Sequence, residues 1–264
     1  TTSATSASVA SPEDVSSSQE EEEAAASTTA KTTITKVVVV VEAPPSMRDY
    51  EALRVVGKGS FGTVVLAREH RTRRPVALKI LAKKDVLRRR QVEHTRTERE
   101  VLAKFSKGSP FVVTMHAAFQ TKSRVYMVLD FCAGGELFYH QQRVFRSGLA
   151  EPAARFYACE ILCALSYLHT NNVVYRDLKT ENVLLDAEGH IRLADFGLSK
   201  AGVTAYAGAR SLCGTPEYLP PEILARTGHG TAADLWSFGM VLHEMLVGLP
   251  PWYTTDRKEL FARL

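Results

Sequence analysis

Hydrophobic and polar positions change rhythm twice along the chain. Residues 1–36 are almost entirely Ser, Thr, Ala and Glu, and no aromatic side chain occurs before Tyr50. Such a stretch buries too little apolar surface to offset its ordering entropy, so 1–46 reads as a disordered tail and linker. The β-prone run 37–41 is cut off by Pro44-Pro45 and reads as extended linker. From Tyr50 to about Leu129 the pattern is strand-like, over 50–56, 62–68, 75–81, 112–119 and 125–129. One helix interrupts it at 91–105, with Val92, Thr95, Val101 and Leu102 near helical spacing. After Asp130 helices dominate. The stretch 151–170 carries Phe156, Ile161, Leu165 and Leu168 at helical spacing, and 231–247 is apolar on most sides and so expected to be buried. The stretch 256–264 reads as the opening turns of an amphipathic helix. The expected architecture is α+β, a small β-rich lobe joined to a larger helical one.

Composition narrows the function classes. The 264 residues hold 33 Lys and Arg against 29 Asp and Glu, a net charge of +4. Residues 1–49 carry eight acids and three bases, whereas 50–264 carry 21 acids and 30 bases. The densest basic runs, 68–74 and 83–90, read as solvated surface rather than a nucleic-acid stripe, and a phosphate-bearing ligand stays open. No apolar run is long enough to span a bilayer, and residues 1–30 lack the features of a signal peptide. Cys132, Cys159, Cys163 and Cys213 show neither a C-x-x-C pair nor metal-site spacing. They read as reduced thiols of a cytoplasmic or nuclear protein. The chain opens on Thr and stops inside a helical pattern, so it is expected to be part of a longer product.

Chemistry enters with Gly57-Lys-Gly-Ser-Phe-Gly62, which fits G-x-G-x-x-G. A dinucleotide-binding turn needs a helix next. Here Thr63-Val-Val-Leu-Ala67 follows, so the glycines belong to a strand–turn–strand hairpin, either a plain one or one that lets backbone N–H groups approach phosphate oxygens. Val76-Ala-Leu-Lys79 ends in a lysine 17 residues beyond Gly62, on an otherwise apolar strand. A lysine there needs a partner, and Glu98 on the predicted helix is the natural one. Tyr175-Arg-Asp-Leu-Lys-Thr-Glu-Asn182 gathers Asp, Lys and Asn, and Asp195-Phe-Gly197 follows 18 residues after Asp177. Gly214-Thr-Pro-Glu217 and Pro220-Pro-Glu222 close the series.

These ordered motifs resemble the eukaryotic protein kinases over about residues 50–264. The wording is similar to the AGC group. Tyr175 stands for the usual His before Arg-Asp, and Ser211-Leu-Cys-Gly-Thr-Pro-Glu217 has that group's activation-segment form. Gly134-Gly-Glu-Leu-Phe-Tyr-His140 and Asp195-Phe-Gly-Leu-Ser-Lys200 are similar to protein kinase B, the serum- and glucocorticoid-regulated kinases and the ribosomal-protein kinases. The resemblance implies a bilobal kinase domain over 47–264, with lobes at about 50–129 and 134–264. It also implies an ATP- and Mg²⁺-dependent serine/threonine kinase acting on protein substrates. A scaffold that binds nucleotide without efficient transfer is the alternative, and a small-molecule kinase is disfavoured by the 214–222 segment.

Residue roles follow from the resemblance. Val56, Gly57, Lys58, Gly59, Ser60, Phe61, Gly62 and Thr63 would cover ATP. Val64, Ala77 and Leu184 would sandwich the adenine, with Met127 behind it. Lys79, held by Glu98, would clamp the α- and β-phosphates. Asp195 and Asn182 would hold metal, Asp177 would accept the substrate proton, Lys179 would steady the γ-phosphate, and Thr215 would bond near both. Leu102, Met115, Tyr175 and Phe196 would stack through both lobes. Glu136 would meet the ribose or, with Glu181, Glu244 and Glu217, upstream substrate arginines. Ser211 would be an activation phosphosite for an upstream kinase, its phosphate received by His94, Arg176 and Lys200. Thr180 and Pro220 depart from the usual residues at their positions. Gly202, Gly208 and several Ala make the segment 195–211 an expected mobile loop. Glu222 is expected to lack the arginine that partners it in relatives.

Overall fold

The computed structural model describes residues 44–264 except 60, 61, 146, 147 and 206, and the side chains of 144 and 145. The expected tail up to residue 43, including the run 37–41, lies outside the described residues, as do Ser60 and Phe61.

The β-branched and aromatic runs of the first lobe pair as expected. Strands β1 (Tyr50–Gly59), β2 (Gly62–Glu69) and β3 (Pro75–Ala82) precede helices α1 (Lys83–Arg88) and α2 (Val92–Phe105), then β4 (Met115–Gln120) and β5 (Arg124–Asp130). They form one antiparallel sheet in the order β1-β2-β3-β5-β4. Period-two alternation divides its faces. Tyr50, Ala67, Val76, Leu78 and Val128 form a small cluster on one side, while Met127 and Leu129 join the main core on the other. Helix α1 was not foreseen, because its basic residues lie on an exposed surface and carry no apolar stripe. The fourth strand starts at Met115 rather than at 112. Instead, Val113 N–H donates to Leu193 O at 2.9 Å and Leu193 N–H to Phe111 O at 2.8 Å, which ties the loop before β4 to the second lobe.

The second lobe contains β6 (Gly135–Glu136), α3 (Leu137–His140), α4 (Glu151–Thr170), β7 (Val173–Val174), β8 (Val183–Leu185), β9 (Ile191–Leu193), β10 (Lys200–Ala201), α5 (Pro221–Leu224), α6 (Ala232–Val247) and α7 (Arg257–Arg263). Two small sheets, β6-β8-β9 and β7-β10, surface among these helices. The main core runs through both lobes and includes all four residues expected to stack, Leu102, Met115, Tyr175 and Phe196.

Three expectations are corrected. Phe156 is 45% exposed, because the buried stripe of α4 runs through Ala154, Ala158, Ile161, Leu165 and Leu168 and residue 156 falls off it. Val92 likewise faces outward, and the buried face of α2 is Glu98, Val101, Leu102 and Phe105. Helix α6 is not buried on most sides. It buries Asp234, Ser237, Met240, Val241, Glu244 and Met245, while Leu235, Trp236, Leu246 and Val247 are exposed.

The segment expected to be a mobile loop is tied down. Val203 and Ala209 are fully buried, and Ala209 exchanges backbone hydrogen bonds of 3.1 and 2.9 Å with His229. Thr231 and Ala232, at the start of α6, donate N–H groups to Thr204 O and Ala205 O. Gly230 permits this approach, since a Cβ there would lie 2.3 Å from both carbonyl oxygens.

Candidate active site

Directly paired residues of an antiparallel ladder share a face. Val64, Lys79 and Met127 form one cross-strand row on β2, β3 and β5; Ala77 and Leu129 lie in the next row on the same face. Met127 is fully buried behind Lys79, whereas Leu129, opposite Ala77, stands closer to the segment linking the lobes. Leu129 was missed from the sequence, although period-two spacing from Met127 points to it. On the other lobe Leu184 of β8 lies opposite Glu136 of β6 and Arg192 of β9.

Lys79 Nζ is 2.5 Å from Glu98 Oε1 and 3.6 Å from Asp195 Oδ1. Burial alone pulls the ammonium's pKa down, but the Glu98 and Asp195 carboxylates outweigh it and raise it above the ordinary lysine value. Lys79 therefore stays charged; its partner Glu98, 4% exposed, is delivered by helix α2, and burial raises its carboxyl pKa against the opposing pull of Lys79.

Below it Asp177 is held from several sides. Thr215 Oγ1 donates to Asp177 Oδ1 at 2.9 Å, and Asn182 Nδ2 donates to Oδ2 at 2.9 Å and to the backbone carbonyl at 2.8 Å. Lys179 Nζ donates to Thr215 Oγ1 at 2.9 Å and lies 3.3 Å from Asp177 Oδ2. This loop is anchored from beneath by Asp234, which is wholly buried. Its carboxylate accepts the N–H of Tyr175 at 2.8 Å and of Arg176 at 2.7 Å, with His169 Nε2 at 2.8 Å. The anchor holds Arg176 at φ 70°, and Asp195 sits at φ 54°; both are left-handed conformations unfavourable for side-chain-bearing residues. Phe196 inserts into the core edge-on to Tyr175, ring centres 5.1 Å apart. A cavity of about 240 Å³ is lined by Lys79, Glu98, Asp177, Lys179, Asp195 and Thr215, among others.

The glycines of the hairpin differ in what they do. A Cβ on Gly62 would sit 2.3 Å from Ile80 O, so the fold itself demands glycine there. A Cβ on Gly59 would meet nothing within 4 Å, and one on Gly57 only ordinary contacts with Val64. Neither is required by packing, and they lie between exposed Val56 and Lys58 on one strand and half-buried Thr63 on the next.

The predicted acids separate. Glu136 is exposed, Glu217 is half-buried, and Glu181 has a buried Oε2 without a hydrogen-bond partner. Glu244 does not stand on the surface. It is 1% exposed, and its two oxygens accept Thr180 Oγ1 at 3.2 Å and Tyr218 Oη at 2.7 Å. Burial pushes its carboxyl up to about 7, with the Glu181 charge adding to the rise. Glu136 is raised too, by burial and then by Glu181. Of the three residues expected around Ser211, only Arg176 reaches it, Nη1 donating to Ser211 Oγ at 2.7 Å. Lys200 Nζ donates to Gly208 O at 2.6 Å, and His94 Nδ1 lies 2.5 Å from Gln91 Oε1.

Comparison with known proteins agrees with this geometry. The protein kinase domain family matches residues 50–263. The chain is similar to serine/threonine-protein kinase Sgk1 of Xenopus tropicalis, 49% identical over 84% of this chain and 52% of that protein. It is 49% identical to protein kinase 2 of Dictyostelium discoideum, over 82% of this chain and 44% of the relative. Protein kinase 3 of the same organism is 46% identical over 82% of this chain and 24% of its own length. The chain thus spans about half or less of the curated relatives it matches.

Substitution separates the two kinds of glycine. Gly62→Ala is expected to destabilise the fold by about 1–3 kcal/mol, whereas Gly59→Ala shifts it by less than about 0.5 kcal/mol. Urea unfolding of both variants checks this; equal losses would mean that packing demands both glycines.

Proposed function

The chain belongs to the protein kinase domain family, and from that premise we propose that it transfers the γ-phosphate of ATP to Ser and Thr hydroxyls of protein substrates. The kinase domain is read as 47–264, with lobes at about 50–129 and 134–264 and a tail before them. The observation that carries the reading is the convergence of Lys79, Glu98 and Asp195 from the sheet lobe and the following loop with the Asp177–Lys179–Thr215 triangle.

Each group has a chemical task. Val64, Ala77, Leu129 and Leu184 offer apolar faces to a purine. The open Gly57 and Gly59 backbone and the charged Lys79 suit phosphate oxygens. Asp195 and the carbonyl oxygen of Asn182, whose amide nitrogen is committed to Asp177, are the oxygen donors available to Mg²⁺, which takes few protein ligands beside substrate phosphates. When bound there, Mg²⁺ neutralises charge on the phosphates. Asp177 orients the substrate hydroxyl and takes its proton as the oxygen bonds to the γ-phosphorus and the bond to the ADP oxygen breaks. Lys179 balances charge on the transferred group, fixed in place by Thr215. All these residues are retained, which weighs against a scaffold without transfer. Four free cysteines suit a reducing compartment, cytosol or nucleus. Among the described residues no helix is long and apolar enough to cross a membrane.

Two finer readings concern the substrate and the control of activity. Glu136 and Glu181, backed by buried Glu244 and with Glu217 next to Tyr218, the donor to Glu244, favour arginines two and three residues before the target hydroxyl. The orphaned Glu181 oxygen is the acceptor that such a guanidinium would satisfy. Ser211, in reach of Arg176, is read as an activating phosphosite. Phosphate there would add about −1.5 to −2 charges and draw Lys200 and His94 from their present partners. No Ser or Thr of the chain has Arg two or three residues before it, which favours a separate upstream kinase for Ser211.

Lys79→Met and Asp195→Asn in the full-length protein are each expected to lower kcat by at least about 100-fold with the fold retained. Wild-type turnover at saturating ATP in either variant would overturn the assigned roles. Stoichiometric phosphate on Ser211 is expected to raise activity at least about tenfold, and Arg176→Ala to blunt that rise. Equal rates for the two phosphorylation states would show that no such switch operates. A peptide array is expected to select upstream Arg by about tenfold or more in kcat/KM. Because Glu244 is raised to about 7, its carboxylate form gains population as pH rises. The Arg preference should therefore strengthen from about pH 6 to about pH 8. Selection of acidic peptides, or indifference to Arg, would sink the reading.

A further inference from the structure

A chain of alternating charges crosses from one lobe to the other behind the nucleotide cleft. At its centre is Asp130, the last residue of β5. His116 Nε2 on β4 lies 2.6 Å from Asp130 Oδ1, and Thr114 N–H donates to Oδ2 at 3.1 Å. The Asp130 N–H in turn donates to Thr114 O at 3.0 Å. On the small-lobe side Arg74 Nη1 lies 3.3 Å from His116 Nδ1 and Arg74 Nη2 3.6 Å from Glu69. On the large-lobe side Arg192 Nη1 lies 3.9 Å from Asp130 Oδ2. Arg192 Nε and Nη2 both donate to Asp186 Oδ2 at 3.3 Å. Asp186 closes the β8–β9 turn by accepting the N–H groups of Glu188 and His190.

The central contact of this chain, Asp130–Arg192, joins the two walls of the purine slot. Asp130 directly follows Leu129, on the upper wall, and Arg192 is the ladder partner of Leu184, on the lower wall. The side chains are only a quarter exposed, 25% for Arg192 and 27% for Asp130, so solvent screens them less than an open surface pair. Asp130 is held at about 2, its hydrogen bonds outweighing its burial, so it stays ionised across the working range. The backbone exchange between Leu193 and residues 111 and 113 joins the lobes one residue from Arg192. A charge contact at that pivot acts on the angle between the walls rather than on either wall alone.

We infer that Arg192 is a positioning residue that, through Asp130, sets the spacing of the two walls of the purine slot and so the affinity for adenine nucleotides. The contact touches neither the phosphates nor the reacting hydroxyl. Its loss lowers affinity for adenosine, ADP and ATP alike and leaves kcat at saturating ATP unchanged. The inference rests on the reading of the cleft as an ATP site.

The test is titration of the full-length protein with Mg²⁺–ATP, and with adenosine alone, for Arg192→Met, Arg192→Lys, Asp130→Asn and the Asp130→Asn/Arg192→Met pair. Arg192→Met is expected to raise Kd for both ligands by the same factor, about three- to tenfold, with kcat preserved. Arg192→Lys, which keeps the charge, should stay within about twofold of wild type. The paired variant should be no weaker than the poorer single variant, because both remove one contact. Unchanged Kd in Arg192→Met, weakening for ATP without weakening for adenosine, or penalties that add in the paired variant would each overturn the inference. Should Asp130→Asn fail to fold, the two Arg192 variants still decide it. A wild-type protein that binds neither ligand would mark failure of the ATP reading itself, which differs from a wild type that binds and an Arg192→Met that binds equally well.

Discussion

The site hangs from one buried carboxylate. Asp234 has no solvent and accepts the backbone N–H groups of Tyr175 and Arg176, with His169 beside it. A carboxylate in that position without donors would cost several kcal/mol, so the loop that supplies the donors is held to one conformation. Everything else at the site lies within a few covalent or packing steps. Asp177 is the next residue after Arg176. The Tyr175 ring meets Phe196, Phe196 adjoins Asp195, and Asp195 faces Lys79, which α2 holds through Glu98. A helix of the second lobe thereby fixes a strand lysine of the first.

This economy has a cost in local strain. Arg176 and Asp195 both occupy left-handed backbone, and each is kept there by neighbours that over-determine it. Arg176 bonds outward through its side chain to Leu198 O, Ser199 O and Ser211 Oγ, so the strained residue is also the node between the loop bearing Asp177 and the segment bearing Ser211. That segment is pinned at Ala209 and, through Thr204 and Ala205, at the start of α6.

Burial also sets the character of the acids around Glu244. Glu244 lies under the surface with both oxygens engaged, one of them by Thr180, a departure from the usual residue there. Glu181 keeps a buried oxygen without a donor. Burial first, and the charge of Glu181 after it, raise the affinity of Glu244 and Glu136 for protons.

The sequence by itself determined what local rules can express. Period-two and helical patterning placed the strands of the first lobe and α2, α4 and α6 within a few residues, and the ordered motifs around Gly57–Gly62, Lys79, Asp177 and Asp195 carried the resemblance to the protein kinases from which the site was expected. Tertiary structure decided which side of an element meets the core. Phe156 and Val92 read as apolar positions and face outward, while Glu98 and Glu244 read as polar and are buried, since a side chain's burial depends on what the neighbouring element brings to it. The anchoring of 201–210 was illegible for the same reason. Glycine and alanine carry no local signal of order, and the donors that fix the segment come from Thr231, Ala232 and His229, 20 to 27 residues away in sequence. The Asp130–Arg192 contact likewise joins segments that only the fold brings together, where distance and desolvation rather than residue type set the interaction.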